Sequence, residues 1–241
     1  MLVKNVKELI SDKEFSHCTD AILSIILDKP RTEIADEDFI SDTDAKQCEN
    51  LAYDFKNSYP IIYQRKRMYF MDIPLIITED VFPPVFATEP FMREILDKFS
   101  EKKKDVLEIG TGSGAMAIVL AKKMKANITA TDISAKALDI AKENAKLNNV
   151  NIKFIESNLY EKINEKFDLI ISNPPQQKTE TINLLEKEGK MITPRVASDG
   201  GEDGFVLYNA IKDNAKKYLK PNGVLVLQYD GYTNIYRKEE L

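Results

Sequence analysis

Two hydrophobic rhythms divide this chain. Through residues 1–58 apolar positions recur at helical spacing: Val3, Val6, Leu9 and Ile10, then Ala21, Ile22, Ile25 and Ile26, then Leu51, Tyr53 and Phe55. That spacing predicts helices with one buried face. The second helix ends at Asp28-Lys29-Pro30, because proline cannot continue it. From Tyr59 to Ile77 aromatic and β-branched residues alternate with polar ones around Met71-Asp72, which predicts a β-hairpin. Pro83-Pro84-Val85-Phe86-Ala87 must be loop, and Thr88-Glu89-Pro90 opens a helix running to Phe99.

After residue 104 the rhythm changes. Short apolar runs predict strands at 105–110, 127–132, 152–157, 167–173 and 224–229, alternating with helices at 114–124, 134–147 and 205–219. Ser134 is placed to N-cap the second of these helices and Asn148-Asn149 to close it. Between Asn173 and about Gly204 the chain reads as a polar excursion, and Lys220-Pro221-Asn222-Gly223 as a turn. Strands alternating with helices indicate an α/β fold with a doubly wound parallel sheet. The expected domains are a small acidic helical domain at 1–58, a hairpin linker at 59–80 and the sheet domain at 81–241.

Composition narrows the field without choosing a function. Hydrophobic residues make up 43% and charged residues 30% of the 241 residues, an ordinary globular balance. No apolar run approaches the roughly 20 residues of a membrane span, so no membrane partner is expected, and the first residues lack the apolar core of a signal peptide. Cytoplasmic location is the expectation. Cys18 and Cys48 make neither a disulfide framework nor a metal set and read as buried thiols. His17 is the only histidine, which removes a zinc motif, a Ser-His-Asp triad and a histidine base. No metal is expected. A formal net charge of −5 disfavours non-specific nucleic-acid binding. The acids Glu33, Asp36, Glu37, Asp38, Asp42 and Asp44 form either a solvated face or a docking surface for a basic partner.

The chemistry starts at Asp105–Asp132. An apolar strand runs into Gly110-Thr111-Gly112-Ser113-Gly114, a helix follows, and a second strand stops on Asp132. This is the first half of a nucleotide-type site. Glycines let backbone approach a ligand and adopt unusual dihedrals. The helix N-terminus offers free N–H groups, and the acid can accept from both ribose hydroxyls. The stretch reads as an adenosine-cofactor site without saying which cofactor, since Gly110-x-Gly112-x-x-Ala115 also passes as a dinucleotide fingerprint.

Asn173-Pro174-Pro175 supplies the second site. It follows a strand, and in an open α/β sheet ligands sit beyond the carboxyl ends of the strands. Two prolines remove two N–H donors, so the segment presents carbonyl acceptors in rigid geometry, with the Asn173 side-chain oxygen as one more. Acceptors without a base suit holding an –NH2 group whose nitrogen attacks an electrophile. Positive charge grows on that nitrogen, and carbonyl oxygens stabilise it as an oxyanion hole stabilises the opposite sign. Hydride chemistry finds neither acid nor base here, which argues against a nicotinamide enzyme.

With Glu-Ile-Gly-Thr-Gly-Ser-Gly, the acid after the second strand and Phe-Asp-Leu-Ile-Ile-Ser-Asn-Pro-Pro in this order, the chain resembles class I S-adenosylmethionine-dependent methyltransferases that methylate amines. Asp28–Phe39, the segment starting Tyr59-Pro60-Ile61-Ile62-Tyr63, Thr88-Glu89 and Pro194–Gly204 extend the resemblance to the HemK/PrmC family, the peptide-chain release factor glutamine methyltransferases. The resemblance implies a Rossmann-like sheet, a helical N-terminal domain that grips the release factor, and S-adenosyl-L-methionine as cofactor. It assigns Glu108, Gly110, Thr111, Gly112, Ser113 and Gly114 to the methionine end and Asp132 with Ile133 to the ribose region. Asn158 and Leu159 fall at the adenine. Asn173 with Pro174 is the catalytic pair holding the substrate glutamine amide, Asn173 also reaching the cofactor, and Pro175 and Gln176 complete the substrate contact.

Three departures accompany the resemblance. Gln176 stands where the family carries an aromatic ring that packs against the substrate amide. Pro83–Ala87 replaces an arginine-containing loop. Tyr232–Leu241 is too short and polar for both antiparallel strands that normally close the sheet, so the expected sheet lacks part of that edge, and self-association through it is an expectation. Two other readings stay open: methylation of an exocyclic amine of RNA or DNA, and a non-catalytic cofactor-binding relative.

Overall fold

The computed structural model describes residues 1–13, 18–53, 58–84, 88–101 and 105–241. His17, the Phe55 end of the third predicted helix and Val85–Ala87 of the proline loop lie outside the described residues. The chain forms two compact units, Met1–Thr78 and Glu79–Leu241.

The first unit contains helices α1 (Val3–Leu9), α2 (Thr19–Leu27), α3 (Asp42–Tyr53) and α4 (Ser58–Arg65), and the hairpin β1 (Arg67–Phe70)–β2 (Ile73–Ile76). α2 is the core of the unit, with Ala21 to Ile26 all buried. It stops where Asp28 turns left-handed at φ 55° ahead of Pro30. Part of the acidic run has local work. The Ser41 hydroxyl accepts the Asp44 N–H at 3.0 Å, capping α3, and Asp36 pairs with Lys7 at 2.9 Å. Cys48 is buried, and that burial pushes its thiol up to about 12.

One element differs from expectation. Tyr59–Tyr63 is helical, part of α4, and the hairpin starts only at Arg67. Pro60 falls in the first turn of α4, where a missing N–H breaks no bond, and Ile62 faces inward from the next turn. The Met71-Asp72 turn is where the sequence pattern put it, with both residues left-handed at φ 49° and 63°. That is the geometry a two-residue hairpin loop requires.

The second unit begins its regular structure with α5 (Thr88–Phe99) and β3 (Asp105–Ile109). It continues through α6 (Ala115–Lys123), β4 (Asn127–Asp132), α7 (Ala135–Leu147), β5 (Lys153–Glu156) and β6 (Phe167–Ser172). α8 (Thr179–Lys187), α9 (Val206–Tyr218), β7 (Leu219–Tyr229) and β8 (Tyr232–Arg237) follow. The sheet order is β5-β4-β3-β6-β7-β8, parallel except for β8. Strand order reverses beside β3, and ligands bind at that crevice in such sheets.

Burial explains the apolar runs. Strands covered on both faces read as continuous hydrophobic stretches. Leu107, Ile109, Ile170, Leu225 and Leu227 point to one face, where Tyr208, Ile211 and Ala215 of α9 cover them. The intervening Val106, Leu169, Ile171 and Val226 are equally buried and point to the other face, by the two-residue period of a strand. The Ser134 hydroxyl accepts the Ala137 N–H at 3.2 Å, so it caps α7 as expected.

Three corrections belong to this unit. The polar excursion holds α8 and a short 3-10 turn at Arg195–Ala197. α8 is nine residues long with Ile182 as its one buried residue, so its apolar period, Ile182 with Leu185, spans barely one turn inside a polar stretch. Lys220–Gly223 is an irregularity within β7, marked by a register shift against β6 and by Asn222 at φ 60°, and not a turn preceding the strand. The antiparallel edge is present as one strand: β8 pairs with β7 from Tyr229↔Tyr232 to Val224↔Arg237. The Asp230-Gly231 loop, left-handed at φ 49° and 77°, closes that hairpin. The architecture is a Rossmann-like α/β sheet with one antiparallel edge strand.

Candidate active site

The carboxyl ends of β3, β4, β5 and β6 open into a cavity of about 710 Å³. Its wall brings together Glu108, Gly110, Thr111, Gly112, Ser113, Asp132, Ile133, Asn158, Leu159, Asn173, Pro174, Pro175 and Gln176. Of the residues assigned to the site from sequence, Gly114 alone is not on this wall.

The three glycines therefore serve different ends. All are left-handed, at φ 73°, 54° and 80° for Gly110, Gly112 and Gly114. A Cβ on Gly110 or Gly112 would meet no protein atom within 4 Å and would stand in the cavity. A Cβ on Gly114 would lie 3.1 Å from Cβ of Ala141 in α7. Gly114 thus lets α6 and α7 pack closely, while the first two keep ligand space open.

Two acids anchor the loop. The Gly110 and Thr111 N–H groups both donate to the Thr131 carbonyl, at 2.8 and 2.9 Å. The Gly112 N–H donates to Asp132 Oδ2 at 2.8 Å, and the Ser134 N–H to Oδ1 at 2.9 Å. Burial raises the Asp132 carboxyl above its usual range, and these backbone donors pull it back. A third backbone N–H, that of Ile133, also acts on this carboxyl. Glu108 is fully buried. Its Oε2 accepts the Thr111 hydroxyl at 2.9 Å, and its Oε1 has no hydrogen-bond partner. Burial pushes its carboxyl up to about 8, against the Thr111 hydroxyl and, without hydrogen-bond geometry, the Ala117 N–H. A buried carboxyl oxygen without a partner costs stability unless a donor arrives.

Ile133 is half-exposed on the cavity wall. Leu159, on the same wall, adopts φ 48°, and the Ser157 hydroxyl donates to the Leu159 carbonyl at 3.1 Å. Ile133 and Leu159 give this wall two apolar side chains, and Asn158, next in the chain to Leu159, is exposed.

At the other end Asn173 leaves β6. Its Nδ2 donates to the Thr88 hydroxyl at 3.3 Å, and its Oδ1 accepts from Gln176 Nε2 at 3.3 Å. Gln176 Oε1 in turn accepts the Asp230 N–H, in the β7–β8 loop, at 2.6 Å. The Asp-Gly-Gly-Glu-Asp-Gly segment braces this turn from behind. The Gln177 N–H donates to the Ser198 carbonyl at 3.0 Å, and the Gly200 N–H to the Gln177 carbonyl at 2.7 Å. A Cβ on Gly200 would fall 2.6 Å from the Pro175 carbonyl oxygen, and one on Gly204 2.6 Å from that of Gln176. Only glycine permits that approach. Asp199 is tied by the Thr179 hydroxyl at 2.6 Å and by Arg195 at 2.8 Å, which hold its carboxyl below the usual range.

Sequence reasoning did not assign Thr88, Gln177 or Arg195–Asp199 to the site, though all line the cavity. Thr88 read as the start of a helix, and nothing local to it indicated Asn173, 85 residues away. Pro83 and Pro84 of the proline loop also form part of the wall.

The methyltransferase small domain family matches residues 86–192. The release factor glutamine methyltransferase of Streptococcus pneumoniae is 39% identical over 165 residues, covering 66% of this chain and 57% of that protein. That of Flavobacterium psychrophilum is 34% identical over 194 residues, covering 77% of this chain and 68% of that protein. A solved methyltransferase from Pyrococcus furiosus aligns at TM-score 0.47 and 22% identity, covering 74% of this chain and 80% of that one. The chain spans less than two thirds of the length of the relatives from Streptococcus pneumoniae and Lactococcus lactis, 57% and 59%. With a third or more of aligned residues identical, and the glycine loop, the acid after β4 and Asn-Pro-Pro on one cavity wall, the chain belongs to the release factor glutamine methyltransferase family.

Proposed function

We propose that this chain is an S-adenosylmethionine-dependent N-methyltransferase whose acceptor is the glutamine amide of the Gly-Gly-Gln motif in a translation release factor. One observation carries the reading. The acceptor-only turn Asn173-Pro174-Pro175 and Glu108, a buried carboxyl with one unpartnered oxygen, line the same cavity.

The residues fit the cofactor by their chemistry. Glu108 offers a carboxyl oxygen to an α-ammonium, the Gly110–Gly112 backbone leaves room for the methionine end, and Asp132 takes the ribose hydroxyls. The apolar side chains of Ile133 and Leu159, with Asn158 on the same wall, suit adenine. When bound, S-adenosylmethionine supplies a methyl group on a sulfonium. The protein's own part is positioning. Asn173 Oδ1 and the carbonyl of Pro174 accept from the substrate –NH2 and stabilise the positive charge that grows as the N–CH3 bond forms and S–CH3 breaks. The proton leaves nitrogen to solvent. No side-chain base is assigned, since an alkylated amide nitrogen sheds its proton without help.

A release factor as substrate would put the reaction in the cytoplasm. No helix among the described residues is long and apolar enough to cross a membrane. We assign release-factor docking to residues 1–58, linked through 59–80 to the 81–241 catalytic domain, and self-association to the outer edge of β8, which has no strand neighbour among the described residues. Light scattering tests the latter; a monomer at all concentrations removes it.

Transfer of labelled methyl to the release factor tests the function. Label should vanish when the Gly-Gly-Gln glutamine is replaced and when the enzyme carries Asn173→Ala. Label on RNA instead would overturn the acceptor.

A further inference from the structure

We propose that Gln176 is a positioning residue that orients the Asn173 carboxamide with its oxygen toward the acceptor –NH2. The inference rests on the function proposed above, in which Asn173 is the acceptor's hydrogen-bond partner.

A carboxamide has two ends of nearly equal shape, and only one serves. Presented oxygen-first, Asn173 holds an –NH2; flipped, it offers a second –NH2 and repels it. Thr88 cannot decide between the two, because a hydroxyl both donates and accepts. Gln176 decides. The Asp230 N–H can only donate, so the end of Gln176 facing it at 2.6 Å must be Oε1. The opposite end is then Nε2, a donor, which faces Asn173 at 3.3 Å and requires Oδ1 there. Asn173 Nδ2 is thereby sent to the Thr88 hydroxyl at 3.3 Å. The direction passes from a backbone N–H in the β7–β8 loop to the reacting end of the cavity. One lone pair of Asn173 Oδ1 remains for the substrate. An aromatic ring at position 176 would give no such direction, so this chain orients Asn173 by a hydrogen-bond relay.

Gln176→Glu tests the relay with little change of shape. An ionised Glu still accepts from Asp230 but has nothing to donate to Asn173, which then flips, its oxygen satisfied by the Thr88 hydroxyl. At about pH 7.5, kcat for methylation of the full-length release factor should fall roughly ten- to a hundredfold, with KM moving by less than about threefold. Protonation restores a donor. As pH falls toward about 5, approaching the carboxyl range, the ratio of variant to wild-type kcat should rise. Gln176→Leu, which has no proton to regain, should show no such rise. Asp199, Asp203, Asp230, Tyr229 and Arg195 lie around this turn in both proteins, so the variant is read against wild type and against Gln176→Leu at each pH. Calorimetry of S-adenosylmethionine binding checks folding of each variant. A Gln176→Glu protein as active as wild type at about pH 7.5, a loss confined to KM, or a loss that acid does not relieve would each overturn the relay. A wild-type chain that binds cofactor but labels no release factor would instead overturn the proposed function.

Discussion

Thr111 donates its hydroxyl to Glu108 Oε2 across a single turn of chain, at 2.9 Å, and leaves Oε1 of the same buried carboxyl without a partner. A buried carboxyl oxygen without a partner carries a cost in stability. The pH at which the cost is felt follows from the carboxyl's value of about 8. Between about 4.3, the ordinary glutamate value, and about 8, an unfolded chain has lost this proton while the folded protein keeps it. Stability therefore falls as pH rises through that window. Glu108→Gln should melt higher than wild type at about pH 8, the gap closing toward pH ~4. The same variant should bind S-adenosylmethionine more weakly. Paired thermal melts and titration calorimetry check both.

Asp132 is a different acid. Both of its oxygens hold backbone N–H groups of the loops they join. Asp132→Ala leaves two donors unpaired and should cost about 1–3 kcal/mol for each that stays dry, while abolishing cofactor binding. Asp132→Asn keeps the shape but turns one acceptor into a donor, and should lose affinity with a smaller loss of stability. Chemical denaturation and calorimetry on the two variants separate these effects.

The glycines predict opposite phenotypes. Gly112→Ala puts a methyl into the cavity at φ 54°, and should lose cofactor binding for a stability cost of roughly 1–2 kcal/mol from the left-handed backbone. Gly114→Ala adds a contact 3.1 Å from Ala141 to the same backbone strain. It should destabilise the protein more, and the molecules that remain folded should still bind cofactor. Denaturation midpoints together with binding stoichiometry tell the two apart.

Asn173→Ala should leave cofactor affinity within a few-fold of wild type and lower the methylation rate roughly a hundredfold, about 3 kcal/mol of transition-state stabilisation. Single-turnover transfer with cofactor in excess measures it. Thr88→Val, which leaves Asn173 Nδ2 without its partner, should lower the rate less than the loss of Asn173 itself.

What could be read before the structure depended on whether the information was local. The strands of the sheet were legible because burial on both faces writes an unbroken apolar run, as in Leu169-Ile170-Ile171. Glycine, acid and Asn-Pro-Pro were legible because each marks a strand end in its own immediate sequence. α8 was not, since its period is only Ile182 and Leu185 in nine residues, set within a polar stretch. β8 was missed for another reason. The polarity of Tyr232–Leu241 outweighed Asp230-Gly231, a hairpin signal that stood in plain view. Thr88 and the Arg195–Asp199 latch were out of reach because their role exists only through contacts with Asn173 and Thr179, far along the chain.

The pairing of β3 with β6 has one further consequence. Ile109 and Ser172 are register partners, and the Ser172 hydroxyl donates to the Ile109 carbonyl at 2.7 Å. The glycine loop leaves from the first of these strands and Asn173 from the second, so the two segments start a single strand spacing apart. Neither can be assembled without the other. A chain that has closed this long-range parallel pair, a slow event in folding, has in the same act acquired its ligand site. Cofactor affinity should accordingly appear late and all at once during refolding, making the ligand a reporter of native topology.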